Sequence, residues 1–126
     1  MLIQIDFNSD EAIYMQLRNQ IIYAIANEDL RQGESLPSVR QLAEEIGINM
    51  HTVNKAYALL KQEGFLKLDR RRGATISIDF DKIQAISDLQ EDLTVLLARA
   101  FCRNVTKEEA IKLVSDIYDE FGGIVK

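Results

Sequence analysis

Asn49, Met50, His51, Thr52, Asn54 and Lys55 crowd into one short stretch rich in hydrogen-bond donors and acceptors. An asparagine such as Asn54 offers a donor beside an acceptor, the pattern that pairs bidentately with an adenine edge; His51 and Lys55 can donate to the acceptors of guanine. Further along, Arg70, Arg71 and Arg72 precede Gly73, so three guanidiniums stand beside a residue that turns the chain cheaply. Guanidinium suits phosphate oxygens and the deep negative potential of a narrow groove. Upstream, Ser38 and Arg40 place a capping hydroxyl close to a cation. The chemistry available here is recognition of a polyanion. Taken singly, each residue reads more simply as solvated surface, and Arg40 has the spacing of a helical ion pair with Glu44.

Bond-making chemistry finds no comparable set. His51 and Cys102 are the only histidine and the only cysteine, far apart in sequence, so no zinc ligand set is visible. No Ser-His-Asp order, phosphate-binding loop or dinucleotide glycine motif occurs. The expectation is therefore no enzyme, no metal and no cofactor. A lone cysteine fits a reducing cytoplasm. No secretory signal and no membrane-length apolar run is present.

Charge is unevenly spread. The net charge is −5, whereas chains that meet nucleic acid are usually basic. Residues 50–73 nevertheless carry Lys55, Lys61, Lys67, Arg70, Arg71 and Arg72 against Glu63 and Asp69, a local +4. Residues 79–126 hold six Lys/Arg against ten Asp/Glu, a local −4. Positive potential is concentrated where phosphates would have to be met, and the acidic tail should lie away from them.

The elements that must hold these residues follow from periodicity. Ile3, Ile5 and Phe7 alternate with Gln4 and Asp6, which predicts a short strand. Ile13, Tyr14, Leu17, Ile21 and Ile25 predict a helix over about 13–30, with Gly33 as its C-cap. Pro37 stops any continuation, and Ser38 with Gln41 has the spacing of a capping box opening a second helix. That helix carries Val39, Leu42, Ala43 and Ile46 inward until Gly47 ends it. Asn49 can cap a third helix, bonding the backbone near Thr52. Val53, Ala56, Tyr57 and Leu60 line its inner stripe, leaving His51, Asn54, Lys55, Ala58 and Lys61 outside. Short alternating runs at 65–68 and 74–78 predict a hairpin around the arginines.

Beyond Asp79 the pattern changes. Ile83, Ile86, Leu93, Leu96, Leu97 and Phe101 form one long apolar stripe. Thr106 with Glu109 opens a last helix bearing Ile111, Val114 and Tyr118. Two such helices could fold back on the preceding domain. The preferred expectation is pairing with a second copy, through Leu93, Leu96, Leu97, Phe101, Ile111, Val114 and Tyr118, because two helices cannot cover that much apolar surface alone.

The run Leu36-Pro37-Ser38-Val39-Arg40-Gln41-Leu42-Ala43, followed by Gly47, Thr52-Val53, Ala56-Tyr57, Leu60 and Glu63-Gly64, resembles the GntR family of bacterial transcription regulators. The resemblance covers most of residues 12–78 and is specific, because many positions agree in order and spacing. It implies an α+β, mainly helical fold: a winged helix-turn-helix over 1–78, then a two-helix dimerisation segment over 79–126, as in the YtrA-type branch. It implies DNA contact by Arg40 through backbone or base edge, by Ser38 and Thr52 through phosphate, and by the third helix and the arginine turn. Where the family pattern carries a glycine near Arg71 this chain has arginine, so a different turn is expected at the wing tip. The expected function is a sequence-specific regulator, a repressor, bound as a homodimer to a two-fold related operator of double-stranded DNA. The alternative is a winged-helix module that binds a protein partner. No residue pattern identifies a small-molecule effector.

Overall fold

The computed structural model describes residues 3–71 and 73–122, in two compact units, Met1–Asp79 and Phe80–Lys126. The first unit contains helices α1 (Ile13–Ala26), α2 (Val39–Ile46) and α3 (Met50–Gln62), then strands β1 (Leu66–Asp69) and β2 (Gly73–Ile76). The second contains α4 (Lys82–Cys102) and α5 (Lys107–Glu120). No helix among the described residues is long and apolar enough to cross a membrane.

One core organises the first unit. Leu17 and Ile21 of α1, Leu42 of α2, Val53 and Leu60 of α3 and Ile76 of β2 are all essentially inaccessible. Burying a side chain of this size is worth about 1.5–3 kcal/mol. The three-to-four spacing on each helix turns these residues to a common centre and leaves the polar face of α3 outside. β1 and β2 pair antiparallel, with Leu66 opposite Ile76 and Asp69 opposite Gly73.

Three details depart from the sequence expectation. The first concerns α1, which stops at Ala26. Glu28 takes a left-handed φ of 65°, and the N–H groups of Asp29 and Leu30 both donate to the Ala24 carbonyl, at 2.8 and 3.1 Å. That reversal drops Leu30 into the core. Secondly, Gly33 is not a helix cap. Its φ of 87° lets its N–H reach the Ile76 carbonyl at 2.8 Å. Ile76 and Leu36 donate to Glu34 and Ala74 in turn, both at 2.8 Å, so residues 33–36 line the free edge of β2.

Thirdly, residues 3–6 form no strand among the described residues. Ile3 and Ile5 do pack on the core. Their neighbours are held by side chains instead of a second strand. Asp6 N–H donates to Gln16 Oε1 at 2.9 Å and Gln16 Nε2 donates back to Asp6 O at 3.0 Å. Gln20 makes the same two-way bond with the backbone of Gln4. Two glutamines a helical turn apart thus satisfy alternate residues of the segment, as a ladder partner would.

Gly64 explains the Glu-Gly pair that follows α3. Its φ is 87°, and a Cβ there would lie 2.9 Å from Asp79 Cβ. Asp79 N–H donates to the Gly64 carbonyl at 2.8 Å, closing the base of the hairpin. Gly64→Ala is expected to cost about 2 kcal/mol or more, from left-handed strain and the clash together. Thermal unfolding of the variant at wild-type temperature would remove this account.

Candidate nucleic-acid interface

The first residues of α2 and α3, Val39 and Met50, line one concavity, and two caps and a short turn set the start of each helix. Ser38 Oγ accepts from Gln41 N–H at 3.1 Å, and Gln41 Oε1 accepts from Ser38 N–H at 3.0 Å, the reciprocal capping box. Gly47 ends α2 with φ 70°, and Ile48 N–H returns to the Ala43 carbonyl at 3.0 Å. Asn49 then caps α3. Its Oδ1 accepts from His51 N–H at 2.7 Å, the backbone group next to Thr52. Half-buried Thr52 bonds through its backbone to the Asn49 carbonyl at 3.0 Å.

Tyr57 joins the two helices. Its ring is buried and its hydroxyl donates to the Pro37 carbonyl at 2.8 Å, next to the Ser38 cap. Burial, with a smaller contribution from Glu45, pushes the phenol well above its ordinary range, so it stays a neutral donor. The position of α3 is thereby tied to the start of α2, a link that helix periodicity alone does not reveal. Tyr57→Phe should lose about 1 kcal/mol, seen as a lower urea midpoint at unchanged slope. An unchanged midpoint would mean that the bond contributes nothing.

The outward residues of α3 differ in their freedom. His51 and Asn54 are exposed, and Met50 keeps 45% of its surface accessible. Lys55 is exposed too, but its ammonium sits 4.0 Å from the centre of the Tyr14 ring on α1. That contact, worth about 0.5–1 kcal/mol, biases the charge toward the protein. Val39, Asn49, Met50, His51 and Asn54 together line a shallow notch between α2 and α3. Arg40 is exposed, and among the described residues it makes no ion pair with Glu44. At the far end of α3, Arg18 of α1 meets Glu63 at 3.5 Å, a brace between residues 45 apart that helical periodicity does not reveal.

The wing turn is organised by Asp69, whose Oδ1 accepts from Arg71 N–H at 2.8 Å. Arg70 and Arg71 are exposed beside it, Gly73 opens β2 with φ 73°, and Arg72 lies outside the described residues. An aspartate-led turn stands where the family pattern has its additional glycine.

In the second unit, α4 and α5 contribute no buried residue. Phe101 is 79% accessible, Tyr118 63%, Ile111 58%, Leu96 54%, and Leu97 and Val114 44% each. A groove of about 530 Å³ runs between the helices, walled by Leu93, Leu97, Phe101, Ile111 and Val114. Thr106 and Glu109 close the expected capping box at 3.1 and 2.9 Å. The Thr106 N–H holds the Glu109 carboxyl below the usual range.

Residues 10–76, which span this helix-turn-helix and wing, match the family described as bacterial regulatory proteins, gntR family. The chain belongs to the GntR family. The HTH-type transcriptional repressor YtrA of Bacillus subtilis is 42% identical over 76 residues, 60% of this chain and 58% of YtrA. YtrA from Sulfolobus acidocaldarius, a GntR-family transcription factor, superposes with a TM-score of 0.68 at 37% identity, over 81% of this chain and 99% of its own. A transcriptional antiterminator from Listeria monocytogenes gives a TM-score of 0.85 at 26% identity, over 100% and 98%. This GntR-family chain is thus a YtrA-like, DNA-binding regulator of transcription with a winged helix-turn-helix fold.

Proposed function

We propose that the chain represses transcription by occupying a two-fold related operator as a homodimer in the bacterial cytoplasm, acting by binding rather than catalysis. The observation that carries the reading is the outer face of α3. From Met50 to Gln62 it has no carboxylate, it exposes His51 and Asn54, and it shares the first unit with a turn bearing Arg70 and Arg71. In this reading His51 and Asn54 meet base edges, with Met50 beside them. Ser38, Arg40, Asn49, Thr52 and Lys55 lie along the backbone-facing margin. Arg70, Arg71, Arg72 and Gly73 form the wing contact. A repressor named among the relatives supports the sign of regulation.

The second unit supplies the pairing surface. Leu93, Leu97, Phe101, Ile111 and Val114 line one apolar groove, and Leu96 and Tyr118 add exposed apolar surface on the same two helices, the kind of surface that marks an interaction site. Pairing two copies there gives two α3 helices on one axis, which read half-sites about one helical turn, or a small multiple of it, apart. Footprinting of the intact chain on selected duplexes tests this. Two related half-sites are expected, and protection of a single asymmetric half-site by one chain would overturn it.

The net charge of −5 favours a second reading, a winged helix that docks on a protein. A mobility shift on random duplex at low salt separates the two, since a DNA reader retains measurable non-specific affinity.

A further inference from the structure

The notch between α2 and α3 has an apolar floor in a face otherwise built for a polyanion. Val39 opens α2 and Met50 opens α3; with Asn49, His51 and Asn54 they line one concavity. No carboxylate borders it, and Arg40 is exposed on the next residue of α2. Met50 keeps 45% of its surface accessible, so its flexible thioether side chain can be reached by an apolar group entering the notch. Against a DNA major groove the candidates are few, because the one apolar group displayed on base edges there is the thymine 5-methyl.

We propose that the Val39–Met50 notch takes the 5-methyl group of a thymine in the major groove. The assignment rests on the DNA reading above and makes it specific. Met50 and Asn54 lie four residues apart on α3, one above the other on the same face, and are separated by about 6 Å along the helix. Base pairs stack at about 3.4 Å. The methyl in the notch therefore belongs to a thymine within about two steps of the base pair that Asn54 reads. The preference for thymine over cytosine at that position comes from apolar contact, so it is independent of any hydrogen bond.

The test uses the intact chain and duplexes enriched by it from a random pool. Each thymine of an enriched half-site is replaced in turn by deoxyuridine, which deletes only the methyl. One replacement per half-site should weaken binding about fourfold, the loss of one buried methyl at ~0.8 kcal/mol. Met50→Ala should bind the thymine and uridine forms equally, and Met50→Leu should restore the preference. Met50 is surface-accessible, so these variants keep the fold, which circular dichroism checks. If no replacement weakens binding, or if Met50→Ala keeps the full ratio, the notch does not read a methyl. A pool that yields no enriched sequence at all would remove the DNA reading and this assignment with it.

Discussion

A chain truncated after Asp79 is expected to become a monomer and to lose affinity for a two-fold related duplex by ~10²–10⁴-fold, the scale of a lost second attachment. The fold of the first unit should survive, because every member of its core cluster, from Leu17 to Ile76, precedes the cut. Asp79 is kept because its N–H bonds the Gly64 carbonyl. The loss should be selective. Residues 79–126 carry a local −4, so removing nearly all of them takes away repulsion and leaves the +4 region between 50 and 73. Binding to random duplex at low salt should therefore hold or strengthen while operator binding collapses. Leu97→Glu with Val114→Glu in the full chain should likewise yield a monomer, since a carboxylate in an apolar interface is desolvated without a partner. Sedimentation of the intact chain as a monomer at micromolar concentration would defeat the proposal, as would equal operator affinity before and after truncation.

Local chemistry made much of this molecule readable. Ser38 with Gln41 and Thr106 with Glu109 announce helix starts because cap and partner lie within one turn, and both boxes form. Val53, Ala56, Tyr57 and Leu60 are recognisable as an inner stripe because burial follows helical period, and all four are buried. What was not legible depends on partners distant in sequence. The alternation at Ile3 and Ile5 marks their packed face, but nothing in it shows that Gln16 and Gln20 would replace a strand. Residues 33–36 show no apolar alternation, so their lining of the β2 edge is invisible until β2 is in place. α1 stops early because Glu28 accepts a left-handed φ in exchange for burying Leu30, a tertiary gain that outweighs local preference.

The interface shows the same division. Helical phase turns His51 and Asn54 outward, and they are exposed. The same phase turns Lys55 outward, yet Tyr14 from another helix holds its ammonium. The departure at Arg71 signalled an altered turn, whose form depends on the Asp69 carboxylate meeting the Arg71 N–H.

Asn54→Ala should reduce discrimination between cognate and scrambled duplexes, and Arg71→Ala should weaken both alike. Asn54 projects from the accessible face of α3 beside the notch. A lost bidentate contact there removes about 1–3 kcal/mol of base discrimination, roughly 5- to 150-fold in the affinity ratio. Arg71 bonds Asp69 through its backbone N–H, and its side chain is exposed, so the guanidinium is the part that can meet a phosphate. Neutralising it should lower affinity on every sequence and reduce the slope of log affinity against log salt by about one. The two effects separate because a phosphate carries no base identity, while an adenine edge carries little net charge. Titrating both variants against both duplexes over a salt series distinguishes them. If Asn54→Ala lowers both affinities equally while Arg71→Ala changes their ratio, reading and anchoring are exchanged between helix and wing. If neither variant alters binding, the DNA-facing surface is not the one formed by α3 and the Asp69–Gly73 turn.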